Sequence, residues 1–234
     1  SGAFKANSKD YYAAISNYNK AIEQNPNYAD AYYNRGNSKY NLKDYSGAIS
    51  DYNKVIELNS SQVNAYINRG LAKGGLKDYS GAINDFNKAI ELDSNVPEAY
   101  NNRGDLKYTL NDYSGAISDF NKAIELSPNY VTAYSNRGAA KYFLGDLNGA
   151  CADARKAKEL GGSDELIKLL DFAYDRNLLL RFIEMMPVST KDVLNDSNFL
   201  PCGEVISYLS ERLGKLQVMP DFKTNGPASY YSVP

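Results

Sequence analysis

Two cysteines, no histidine and a few strictly spaced polar columns are the residues with which this chain could do chemistry. Without histidine there is no Ser-His-Asp or Cys-His nucleophile, no imidazole metal ligand and no side chain that titrates near neutrality unless perturbed. Cys151 and Cys202 are too few for a zinc or iron–sulfur site and too far apart in sequence to suggest a disulfide framework. The expectation is no enzyme, no cofactor and no metal. Of the remaining columns, Asn34, Asn68, Asn102 and Asn136 recur every 34 residues. Each amide offers a donor and an acceptor, so a ladder of them could grip an extended backbone; the plainer alternative is solvated side chains copied along by duplication. Arg35, Arg69, Arg103 and Arg137 share that period, each followed four residues later by a lysine, and Asp51, Asp85, Asp119 and Asp153 answer them. Matching basic and acidic columns predict ion pairs that hold the repeats together rather than bind a ligand.

The elements that position these columns follow from the same period. Tyr32, Tyr66, Tyr100 and Tyr134 share it, as do Gly36, Gly70, Gly104 and Gly138 and the alanines Ala48, Ala82, Ala116 and Ala150. Tyr52, Phe86, Phe120 and Ala154 complete the pattern. Each unit divides into two helices. Asp44, Asp78, Asp112 and Asp146, with Asp10 in the same register, are expected to cap the second helix, and Pro26 and Pro128 to end units. Small residues where helices cross, with an aromatic filling the space beside them, describe packing.

This order of aromatic, small and proline positions within 34 residues resembles the tetratricopeptide repeat. In that register a partial repeat covers residues 2–28, with its first helix mostly absent, and full repeats cover 29–62, 63–96, 97–130 and 131–164. The resemblance implies a mainly α fold, a right-handed solenoid whose first helices line a concave groove, and a protein-interaction scaffold binding an extended peptide or partner segment. Carried over position by position, the candidate peptide-binding residues are Tyr33, Asn34, Asn37 and Tyr40, then Asn68 and Leu71. The next repeats add Asn102, Asp105 and Tyr108, and Asn136 with Tyr142. No carried-over groove position is basic, which disfavours a clamp for a C-terminal carboxylate. Asp30, Glu98 and Asp105 make the wall mildly acidic and its tyrosines make it aromatic, so a neutral or basic peptide with apolar anchors fits better.

Net charge supports that direction. The chain carries a formal −2, and across residues 1–164 there are 19 basic and 19 acidic residues, so neither nucleic acid nor an anionic membrane is an expected partner. No run of about 18 apolar residues could span a bilayer, and Ser1-Gly2-Ala3-Phe4 lacks the charged start and apolar run of a signal peptide. A cytoplasmic location is the expectation.

Residues 165–234 break the period. Asp164 to Arg176 has the pattern of an amphipathic capping helix, Leu178 to Glu184 that of a buried strand, Gly203 to Leu213 that of a helix, and Tyr230 to Val233 that of a final strand. Through Leu180-Arg181-Phe182-Ile183-Glu184-Met185-Met186-Pro187 and Gly226-Pro227-Ala228 this segment resembles part of the radical-SAM GTP cyclase of molybdenum-cofactor biosynthesis. The resemblance implies a small α/β appendage, a fragment of a barrel, with Arg181 toward a nucleotide site. The cysteine loop that holds the family's cluster is missing, which speaks against its chemistry. Two further readings follow from the segment: a self-association module, possible homo-oligomer, whose tail pairs with or occupies the groove of another copy, and a non-catalytic remnant that binds a nucleotide.

Overall fold

The computed structural model describes residues 8–163, 217–219 and 230–232. Nine α-helices fill the first of these ranges: α1 (Ser8–Gln24), α2 (Ala29–Asn41), α3 (Tyr45–Leu58), α4 (Val63–Gly75), α5 (Tyr79–Leu92), α6 (Pro97–Thr109), α7 (Tyr113–Leu126), α8 (Val131–Phe143) and α9 (Leu147–Glu159). They fall into two compact units, Ser1–Pro128 with α1 to α7 and Asn129–Pro234 with α8, α9 and a short hairpin.

The turn inside each helix pair is built by backbone and one carboxylate. At the end of α2 the Lys43 N–H donates to the Tyr40 carbonyl and the Asp44 N–H to the Lys39 carbonyl, at 2.8 and 2.9 Å. This double closure needs a left-handed residue at Lys43, whose φ is 63°. Asp44, the residue that completes it, immediately caps α3 by accepting from the Gly47 N–H at 2.9 Å. Asp78, Asp112 and Asp146 repeat the cap on Gly81, Gly115 and Gly149. One residue therefore ends one helix and starts the next, which leaves no slack in the hairpin. Asp10 departs from the expected cap: it lies in the first turn of α1, which is already helical at Ser8 and Lys9. The other aspartates follow a left-handed turn residue, whereas Asp10 follows a helical one, and its carboxylate sits in the first turn, where the helix dipole favours it.

Between pairs, the side chains of Asn25, Asn59 and Asp93 accept from backbone N–H groups two residues on, at 3.1, 3.0 and 2.9 Å. These turns hold the loops after α1, α3 and α5 without further core.

Packing within a pair depends on one close approach. A Cβ added at Gly36, Gly70 or Gly104 would come within 2.8 Å of Tyr52, Phe86 or Phe120. These three rings are 0–1% exposed, and the alanines at 31, 48, 65, 82, 99 and 116 that surround them are equally buried. In the first unit each pair also packs on the next, α3 on α4 and α5 on α6, so apolar surface of one repeat is covered by its neighbour. In the second unit α8 packs on α9 around Ala133, Ala140, Ala150, Ala154 and Ala157, with Cys151 buried among them and not in a disulfide. The hairpin pairs β1 (Gln217–Met219) with β2 (Tyr230–Ser232) antiparallel, Val218 opposite Tyr231. β2 falls on the expected final strand. The expected helices at 164–176 and 203–213, the strand at 178–184, Arg181 and Cys202 lie outside the described residues.

Candidate functional site

Each repeat contains one polar cluster that is structural in its geometry. Arg69 of α4 donates Nε and Nη2 to the two oxygens of Asp85 in α5, at 2.9 and 2.6 Å, and Nη1 to Asn53 of α3 at 2.7 Å. Lys73, one turn on from Arg69, reaches the second carboxylate oxygen at 2.8 Å. The guanidinium lies 5.3 Å from the Tyr66 ring centre. Arg35 with Asp51, Lys39 and Asn19 repeats the arrangement, as does Arg103 with Asp119, Lys107 and Asn87. In the second unit Arg137 and Lys141 hold Asp153 in the same way. The aspartates are 2–4% exposed, so each buried negative charge is met by two cations and a bidentate fork. Hydrogen bonding to Asp51 and Asp119 holds the guanidinium pKa of Arg35 and Arg103 above its ordinary value. The expected Arg–Asp ladder is thus present. The lysines noted four residues after each arginine join it, and the asparagines of the preceding helix are additional members that spacing alone did not single out.

The first-helix columns are different. Asn34 is exposed on α2. Asn68 is half-buried, and its Nδ2 donates to the Tyr33 hydroxyl and to Asn37 Oδ1, both at 2.9 Å. The buried Tyr52 hydroxyl donates to the same Asn37 oxygen at 2.8 Å, and burial pushes its phenol well above the usual range. Asn102, on α6, accepts from Asn101 at 3.5 Å, the limit of a hydrogen bond. Asn136 is half-buried on α8. The four asparagines are therefore not equivalent: α2 and α4 are laced together by a Tyr33–Asn37–Asn68–Tyr52 network, and the next repeat holds Ile67, Leu71 and Phe86 where this one holds Tyr33, Asn37 and Tyr52.

The aromatic members are held by ring contacts. Tyr33 lies 6.0 Å from Tyr52 and Tyr40 5.4 Å from Tyr45; Tyr108 meets Tyr113 edge-on at 5.5 Å, and Tyr142 meets Phe143 edge-on at 5.6 Å. Burial, with the neighbouring Tyr45, raises the Tyr40 phenol. Leu71 is partly buried against the core cluster of Tyr66, Ile67 and Phe86. Asp105 is exposed, yet enough protein surrounds it that partial burial raises its carboxyl above the ordinary value. Among the described residues Asp30, Glu98 and Asp105 make no ion pair, no group of acidic or cysteine side chains could hold a metal, and no helix is long and apolar enough to cross a membrane.

Helix pairs of this length, joined by this turn and repeated at this period, define a helical-repeat protein. Residues 7–43, 75–111 and 104–145 match the family described as TPR repeat, and residues 29–62 match the tetratricopeptide repeat. The chain belongs to the tetratricopeptide-repeat proteins. Its fold is similar to the crystal structure of MamA, at 25% identity and a TM-score of 0.60 over 65% of this chain and 89% of that one. It is also similar to YrrB, described as a TPR protein with an unusual peptide-binding site, at 23% identity and a TM-score of 0.56 over 68% of this chain and 81% of that one. A separate likeness joins the chain to GTP 3',8-cyclases. It is 32% identical over 69 residues to the enzyme of Pelotomaculum thermopropionicum and 30% identical over 70 residues to that of Rippkaea orientalis. Each match takes in 30% of this chain, which spans only 21% of either enzyme.

Proposed function

We propose that the chain is a protein-interaction scaffold whose first-helix wall in the first unit, on α2, α4 and α6, takes an extended peptide or partner segment. One observation carries the reading. The strongest polar groups of each repeat, Arg, Lys and Asp, are consumed by one another, whereas the first-helix columns keep amides, phenols and carboxylates at or near the surface. Groups of that kind, on rigid helices, suit hydrogen bonding to a backbone and contact with its side chains.

An array of blocked peptides probed with the full chain tests this. Asn34→Ala and Asn102→Ala together should weaken every bound peptide roughly tenfold, the worth of one or two hydrogen bonds, with no change in melting temperature. No bound peptide, or affinities indifferent to both substitutions, would overturn the reading.

A further inference from the structure

The wall changes character between α4 and α6. Columns that hold Asn37, Tyr40 and Tyr52 in the preceding repeat hold Leu71, Gly74 and Phe86 here. The hydroxyl of Tyr52 and the amide of Asn37 disappear together, which removes the polar network, and the tyrosine that would cover the C-terminal half of α4 is replaced by hydrogen. Gly75 is explained by packing, since a Cβ there would come within 2.8 Å of the Tyr45 ring. Gly74 is not: its added Cβ would meet only Leu106 Cδ2, at an ordinary 3.6 Å. A glycine inside a helix costs about 1 kcal/mol relative to alanine, and no contact in the fold calls for it.

The absent side chain leaves a notch. Its floor is the α4 backbone at Gly74 and Leu106 borders it; Leu71, one turn back on α4, packs with Leu106 against one core cluster, and α4 touches α6 directly. On the α6 side Asp105 and Tyr108 lie one turn apart, and the Asp105 charge reaches the Tyr108 phenol, helping to raise its pKa after burial and Tyr113. The neighbouring cations are already committed: Arg69 and Lys73 to Asp85, Arg103 and Lys107 to Asp119. Asp105 has no ion-pair partner among the described residues, and Thr109 Oγ1 donates to its backbone carbonyl, not to its carboxylate. Apolar sides, an aromatic ring and an uncompensated carboxylate suit a group with an aliphatic stem and a cationic head.

Resting on the scaffold reading above, we propose that the α4–α6 face is the specificity subsite of the wall and takes a lysine or arginine side chain of the bound peptide. The stem lies over Gly74 between the two leucines, and the head meets Asp105 beside Tyr108.

The test uses blocked peptides of one background sequence carrying Arg, Ala, Phe or Glu at a single scanned position. The full chain should bind the best Arg peptide roughly tenfold more tightly than its Ala counterpart, a difference that shrinks in high salt. Asp105→Asn, an exposed change, should remove that preference, so that the Arg and Ala peptides bind alike. Filling the notch with Gly74→Tyr plus Leu106→Ala, which restores the large and small residues seen at Tyr40 and Ala72, should do the same. Equal binding of Arg and Ala peptides, a preference for Phe or Glu, or a preference that survives Asp105→Asn would overturn the subsite. The scaffold reading would then stand as long as the Asn34 and Asn102 substitutions still weaken all peptides. If no peptide binds, both fall.

Discussion

At the scale of single residues, the arginine of each repeat does the most. Arg69 joins three helices, since its fork holds Asp85 of α5 while Nη1 reaches back to Asn53 of α3. Arg69→Ala should cost about 2–3 kcal/mol in urea unfolding, less than the loss of a wholly isolated buried pair because Lys73 remains on Asp85. In a double-mutant cycle with Asp85→Ala the two changes should couple by at least about 1 kcal/mol, and additive losses would remove the staple from the account. Tyr52 gives a pH prediction. Its folded phenol lies above the ordinary 10.0, so its contribution is complete below pH 10 and is lost as pH rises, when the unfolded chain ionises first. Tyr52→Phe, the residue that stands at 86 and 120, should flatten part of the alkaline loss of stability measured by melting across that range.

At the scale of elements, the turns are where the sequence works against itself. Lys43, Lys77 and Asn111 occupy left-handed positions at φ of 63°, 64° and 63°, where the equivalent residue of the fourth repeat is Gly145. Lys77→Gly should relieve about 1 kcal/mol of strain and raise the melting temperature by about 2–4 °C, and Gly145→Lys should lower it similarly. A fall for Lys77→Gly would mean that the lysine makes a compensating contact. The helices themselves were legible because the 34-residue period carries both the caps and the small-to-large packing columns. Asp44, Asp78, Asp112 and Asp146 cap where the pattern puts them, and Asp10 lies inside the first turn of α1 instead of before it, since register predicts a residue's column but not whether a turn precedes it. The Tyr33–Asn37–Asn68–Tyr52 network was hidden for another reason. It joins different columns across repeats, at separations of 15, 31 and 35 residues, and column-by-column comparison sees only equivalent positions. Gly74 stands in the column of Tyr40, Tyr108 and Tyr142, but that it faces Leu106 and not a ring is visible only in the structure.

At the scale of the whole molecule, the two sequence likenesses pull in different directions. The tetratricopeptide repeats support the interaction scaffold proposed above, whereas the match to GTP 3',8-cyclases covers only about a fifth of those enzymes. The account predicts that GTP leaves the melting temperature unchanged, and a shift that rises with GTP concentration would revive a nucleotide-binding remnant. It also predicts a monomer by light scattering for the full chain; a dimer that dissociates when residues 165–234 are removed would favour the self-association module instead. The central claim is that the first helices, not the second, meet the partner. The most direct measurement is an amide chemical-shift map of the full chain titrated with the tightest peptide from the array. Shifts concentrated on α2, α4 and α6, strongest around Leu71, Gly74 and Asp105, are the predicted result. Shifts confined to α3, α5 and α7, or none at saturating peptide, would contradict the account.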